Sequence, residues 1–202
     1  MKTIKFTVAA LCAVAGVAAT THTYASEDNH FAGGYVVLSQ EWKSANALVD
    51  GEKIKKSEAA PSIGLGYTFG VDKYATVGIK ATFDTKKGEY GVGDTTALGE
   101  TELKEKSHYS IAVEPGYAIR DDLLVFGILA YHKANTELIA STTTGTGSLH
   151  GFGYGLGAKY ALPNHWFLMG EVQKVNYHSR LVGSTTVKPS SSVFALGLGY
   201  HF

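Results

Sequence analysis

The chain of 202 residues has one cysteine, four prolines, no excess of either charge and, beyond its first 25 residues, no apolar run long enough for a membrane helix. The lone Cys12 lies in the opening "MKTIKFTVAALCAVAGVAATTHTYAS", so the chain beyond that opening has neither disulfide nor thiol chemistry. A membrane helix needs about 18 or more consecutive apolar residues, and that architecture is excluded for the rest of the chain. An apolar content of 45% with 18% charge excludes a disordered chain.

The opening itself is predicted to be a signal peptide. Lys2 and Lys5 form the charged start, Phe6 to Ala19 the apolar stretch, and Thr23, Tyr24 and Ala25 lead to a cleavage site after Ala25. Ala9, Ala10 and Leu11 ahead of Cys12 fit a lipoprotein signal poorly. Residues 26–202 are then one exported domain. Without Lys2 and Lys5 it carries 16 basic against 18 acidic residues, which gives no reason to expect nucleic-acid binding.

What is present is glycine, 24 of them, and tyrosine, 12 of them. Most of the glycine lies inside segments that alternate bulky apolar with small residues, as in the closing "SSVFALGLGYHF". Successive side chains of a strand point to opposite faces, so Phe194, Leu196, Leu198, Tyr200 and Phe202 share one face. Val193, Ala195, Gly197, Gly199 and His201 share the other.

The pattern recurs eight times, at 33–42, 60–70, 74–85, 108–119, 123–132, 151–162, 166–175 and 192–202. Connections at 70–74, 119–123 and 162–166 are tight, whereas 43–59, 86–107, 133–150 and 176–191 are long and polar. Short turns at one end, long loops at the other and an even strand count predict an all-β fold: a closed, eight-stranded, antiparallel up-and-down transmembrane β-barrel. A soluble eight-stranded barrel would put its bulky residues inside and show water a polar face, but here the second face is glycine and alanine. The bulky face is therefore assigned to lipid. Outward Tyr67, Phe69, Tyr117, Tyr160, Trp166, Tyr200 and Phe202 fall near the turn end. Trp42, Phe83, Tyr109, Tyr131, Phe152, Tyr154 and Phe194 fall near the loop end, two belts suited to the two interfaces.

The same parity turns Lys80, Asp84, Glu114, Lys159, Glu171 and Gln173 into the lumen, where charges need partners. A three-residue connection, Pro163 to His165, keeps Glu171 inside; a two-residue turn would put it in lipid. In segment 123–132 both faces are apolar, and turn symmetry favours Val125, Leu129 and Tyr131 outward. His108, Ser110 and Glu114 also share the inward parity, which leaves a lumenal hydrolase as a remote alternative. His30, His108, His132, His150, His165, His178 and His201 are scattered without ligand spacing, so no metal and no cofactor is expected. Most of them are expected at interfaces or in loops.

The exported start, the eight alternating segments, "GFGYGLGAKYAL" and the ending "ALGLGYHF" resemble the small outer-membrane barrels of the OmpX, Ail and OmpA type. That resemblance covers essentially all of 26–202 and implies a bacterial outer-membrane location, with both termini periplasmic and outer-membrane lipid and lipopolysaccharide as surroundings. It implies that Tyr200 and Phe202 are the sorting signal read by the outer-membrane assembly machinery, although Phe202 also serves as a belt aromatic. It implies a structural or adhesive role through four extracellular loops, with host or matrix surface molecules as partners and Lys53, Lys55, Lys56, Arg180 and Lys188 as binding candidates. A small passive pore and, more distantly, a lipid A-modifying hydrolase are the alternatives. Nothing in the sequence calls for more than a monomer.

Overall fold

The computed structural model describes residues 29–49, 52–85, 88–95, 99–140, 143–178, 180–182, 185–187 and 190–202, with side chains over 29–44, 57–85, 107–135, 147–178 and 190–202. The expected signal peptide at 1–25, with Cys12, lies outside these residues, as does Lys188. The described residues form eleven strands: β1 (Gly33–Val49), β2 (Glu52–Gly70), β3 (Ala75–Asp84), β4 (Gly88–Thr95), β5 (Gly99–Arg120) and β6 (Leu123–Ala140). Then come β7 (Thr143–Ala161), β8 (Trp166–Tyr177), β9 (Arg180–Val182), β10 (Thr185–Val187) and β11 (Ser190–His201). No helix occurs among the described residues.

Eight of the strands form one ring in the order β3-β2-β1-β11-β8-β7-β6-β5, and pairing of β3 with β5 closes it. Every neighbour is antiparallel, and β1 meets β11 through Tyr35↔His201 to Asn46↔Ser190. Closure satisfies the backbone without an edge, which is what a strand protein needs in lipid.

The strands run further than the sequence alternation suggested. Residues 43–59, expected as a loop, continue as the β1–β2 hairpin up to Val49↔Glu52, and β6–β7 pairs up to Ala140↔Thr143. Backbone pairing persists there after the two-faced hydrophobic pattern has ended, because above the lipid neither face needs to be apolar. β4 pairs with the far part of β5, and β9 with β10 forms a separate small hairpin.

At the opposite end the turns are short. Asp72 Oδ1 accepts the backbone N–H groups of Ala75 and Tyr74, each at 2.7 Å. The Leu162 N–H donates to the Trp166 carbonyl at 2.8 Å, with Asn164 and His165 between them at φ 61° and 65°. This is the three-residue connection that parity required, and Glu171 lies inside.

Side-chain faces follow the predicted parity on all eight strands. On β6, Val125, Leu129 and Tyr131 face out, while Leu124, Phe126 and Ile128 are buried. The aromatic belts are in place: Trp42 stacks on Phe194 and Phe152 meets Tyr131 edge-on near the loop end, while Trp166, Tyr200 and Phe202 cluster at the turn end. From Phe152 to Tyr160 on β7 the separation along the barrel axis is roughly 20 Å for a strand tilted by about 40°, compatible with a thin apolar band.

One expectation needs correction. The lumen is not lined by small residues and charges alone: Tyr35, Leu124, Phe126, Phe167 and Met169 form an apolar core at the turn-end half. Each inward ring is paired directly with a glycine: Tyr35 with Gly66, Phe126 with Gly157 and Phe167 with Gly199. A Cβ on those glycines would lie 2.3, 2.3 and 2.1 Å from the rings. The glycines make room for aromatics that parity turns inward but that small inward neighbours alone did not suggest. Phe31 stoppers the turn-end mouth, held by Asn29, whose Nδ2 donates to the Asp72 carbonyl at 3.0 Å and whose Oδ1 accepts the Phe31 N–H at 3.0 Å.

Candidate functional site: the charged lumen

Above the aromatic core, side chains from five strands converge at mid-depth. Lys80 on β3 sits opposite Gly66 and Ala112, Glu114 on β5 opposite Gly78, and Glu171 on β8 opposite Gly157 and Ala195. Small partners leave the axis free for long side chains. Lys80 Nζ contacts Glu114 Oε1 at 2.8 Å and donates to Glu171 Oε1. Lys159 Nζ on β7 reaches Glu114 Oε2 at 3.2 Å, and the Tyr35 hydroxyl donates to the same oxygen at 3.2 Å. Gln173 Nε2 donates to Glu171 Oε2 at 3.3 Å.

Lys159 is 1% exposed, and its ammonium also lies 4.0 Å from the centre of the Tyr35 ring and 5.0 Å from that of Phe126. Two cations and two carboxylates cancel here, and ring faces supply the remaining solvation of Lys159. The arrangement links β1, β3, β5, β7 and β8 across the axis.

A second cluster lies nearer the loop end. Lys43 on β1 pairs with Asp84 on β3 and lies 3.4 Å from Glu41. His108 on β5 places Nδ1 3.3 Å from Asp84 Oδ2 and Nε2 3.1 Å from Nδ1 of His132 on β6, with the two rings nearly parallel. Of the six residues expected in the lumen, Lys80, Glu114, Lys159, Glu171 and Gln173 come together, and Asp84 joins this upper cluster instead.

Sequence reasoning missed Tyr35, Glu41, Lys43 and His132 as members. The expectation that the histidines are scattered, mostly at interfaces or in loops, is corrected in part: His108, His132 and His201 are buried in the lumen, and the first two touch. The β5–β6 register, with His108 opposite Ala134 and Ser110 opposite His132, makes them diagonal neighbours although 24 residues separate them. Once β6 is given its inward face, the parity of His132 is set as well. As for the His108, Ser110, Glu114 grouping, His108 is engaged by His132, Lys43 and Asp84, and Glu114 by Lys80, Lys159 and Tyr35.

Among the loop candidates, Lys53, Lys55 and Lys56 fall on the distal part of β2, where their backbones pair with Leu48, Asn46 and Ala45. Arg180 opens β9. Their side chains lie outside the described residues.

A closed antiparallel barrel of eight strands, apolar and aromatic outside and plugged by charge inside, defines an integral protein of the transmembrane β-barrel class. Residues 8–202 match the family described as outer membrane protein beta-barrel domain, and the chain belongs to that family, placing it in the bacterial outer membrane. Among solved structures, it is similar to Ail, the attachment invasion locus protein of Yersinia pestis, in complex with the heparin analogue sucrose octasulfate. That match has a TM-score of 0.54 at 15% identity, covering 84% of this chain and 99% of that one. It is also similar to Neisserial surface protein A, with a TM-score of 0.51 at 12% identity over 84% and 99% of the two chains. At these identities the likeness concerns the fold. No curated protein sequence matches significantly.

Proposed function

We propose that this protein is a closed barrel that presents its long hairpins at the cell surface for binding, and that it does not act as a pore. The observation carrying this reading is the filled lumen: Lys80, Glu114, Lys159 and Glu171 cross-link the wall at mid-depth, an aromatic core lies below them, and Phe31 closes the turn end. In this reading the loop end faces outward and both termini face the periplasm. The protein is a monomer surrounded by lipid and lipopolysaccharide, its signal peptide is removed after Ala25, and Tyr200 and Phe202 present the strand that the assembly machinery reads.

The basic residues Lys53, Lys55, Lys56, Arg180 and Lys188 give the loop end a way to hold sulfated or phosphorylated polyanions. The structure of Ail with a heparin analogue supports such chemistry on this fold. The reading assigns no reaction to the protein.

Two measurements test it. In planar bilayers the purified barrel is expected to give no steady conductance; a steady conductance that falls on changing Lys80 or Glu114 would establish the pore instead. Binding to immobilised heparin is expected to weaken with salt and to be lost on replacing the five basic loop residues by alanine. Undiminished binding by that variant would remove the loops from the mechanism.

A further inference from the structure

The outer wall is not uniformly convex. A furrow of about 910 Å³ crosses it from β6 through β7, β8 and β11 to β1, in the loop-end half. It is built from two consecutive outward rows of the barrel register. The lower row is Gly127, Leu156, Val172, Phe194 and Trp42, paired in that order across the five strands. The row above it is Leu129, Tyr154, Lys174, Ser192 and Ser44, paired in that order, so it is polar over β8, β11 and β1, where Lys174 Nζ donates to Ser192 Oγ at 3.4 Å.

Gly127 keeps one end of the furrow open without a structural demand for glycine. A Cβ there would meet only Pro115, at 3.6 Å, an ordinary contact. The contrast with the inward glycines beneath Tyr35, Phe126 and Phe167 is direct. Glycine inside a strand weakens it, and at this position no packed ring offsets the weakness.

Charge is as one-sided as shape. At the furrow's level the described ionisable side chains on the outer face are cations or imidazoles: Lys174, Lys133 beside Tyr109, and His150 and His178. The carboxylates of the same level, Glu41, Glu58 and Asp84, take the inward parity; Glu41 and Asp84 are paired with Lys43, and Glu58 is its register partner on β2. No described carboxylate shares the outer face of the spanning strands.

We propose that this furrow seats an acyl chain of a phosphorylated glycolipid of the outer leaflet, with its headgroup phosphate taken by Lys174 and hydrogen-bonded by Ser192 and Ser44. Trp42 and Phe194, stacked at 5.5 Å, wall the end beneath the serines. Lys174, Ser192 and Ser44 sit one register step above Val172, Phe194 and Trp42, as an amphiphile at an interface requires. The assignment to the outer leaflet rests on the proposed orientation, with the loop end outside.

The test uses the full folded barrel in neutral detergent micelles, titrated with diphosphorylated lipid A carrying brominated acyl chains, and reads quenching of Trp42 against a background in which Trp166 is replaced by phenylalanine. Saturable quenching at one lipid per barrel is expected. Lys174→Glu should weaken it about tenfold or more and Lys174→Arg should preserve it. Gly127→Leu should abolish saturation, Lys133→Glu should change it little, and dephosphorylated lipid A should bind about tenfold more weakly. Heat-modifiable migration confirms that each variant is folded. Equal affinity for both lipids, or unchanged binding by Gly127→Leu and Lys174→Glu, overturns the proposal. So does a protein dimer that the Gly127→Leu change dissociates, since a second copy would then be the occupant. Titration in micelles does not depend on membrane orientation, which protease access to the hairpins on whole cells reads separately.

Discussion

Glu114→Gln is the most direct probe of the lumen. The carboxylate has three partners, Lys80 at 2.8 Å, Lys159 at 3.2 Å and the Tyr35 hydroxyl at 3.2 Å, and both it and the lysines are almost fully buried. The amide preserves volume and can still accept from Tyr35, but it leaves two ammonium groups facing the single carboxylate of Glu171. Removing one member of a buried ion pair costs about 3–5 kcal/mol, because the remaining charge has lost its partner without regaining water. Removing both members of a pair is far milder. Glu114→Gln combined with Lys159→Met leaves Lys80 with Glu171, a neutral pair, and should recover more than half of the single-variant loss. Urea titration of the barrel folded in lipid vesicles, followed by Trp42 and Trp166 fluorescence, measures both quantities. A Glu114→Gln barrel within about 1 kcal/mol of the unaltered one would mean that water already solvates these charges, and the plugged-lumen argument would fail.

Two further perturbations probe the turn end. Phe31→Ala removes a ring that is 1% exposed and packed on the lumenal core; a loss of about 3–5 kcal/mol is expected in the same titration, and a loss below about 1 kcal/mol would show that the stopper is not part of the folded unit. Asp72 is held below the usual aspartate range by the backbone N–H groups of Ala75 and then Tyr74. A depressed carboxyl stabilises the turn at any pH above its unfolded value and loses that contribution as pH falls through the folded one. The Ala75 and Tyr74 amide resonances should therefore titrate with a midpoint below the ordinary aspartate value of about 3.9; a midpoint at or above it would refute the cap.

Much of the wall was legible because a strand in lipid has a period of two and each turn fixes the parity of the next strand. Glu171 is the clearest instance: its inward position was set by the length of the Pro163–His165 connection and by nothing else. The alternation fell silent above the membrane, which is why 43–59 read as a loop although its backbone is paired up to Val49↔Glu52. It turned Tyr35 and Phe167 inward but could not say what made room for them, since a bulky inward residue is tolerated only if the neighbouring strand offers a glycine at the same register position.

The chain by itself determined the strand count, the closed antiparallel wall, the belts and which charges turn inward, because these depend on local alternation and turn length. Only the tertiary structure decided which inward groups meet. Stagger between strands set Lys80 against Glu114 and Glu171, laid His108 beside His132, slotted each lumenal ring over a glycine and lined up Gly127 with Trp42 across five strands. Register is a relation between segments far apart in sequence, fixed when the ring closes, and no single segment carries it.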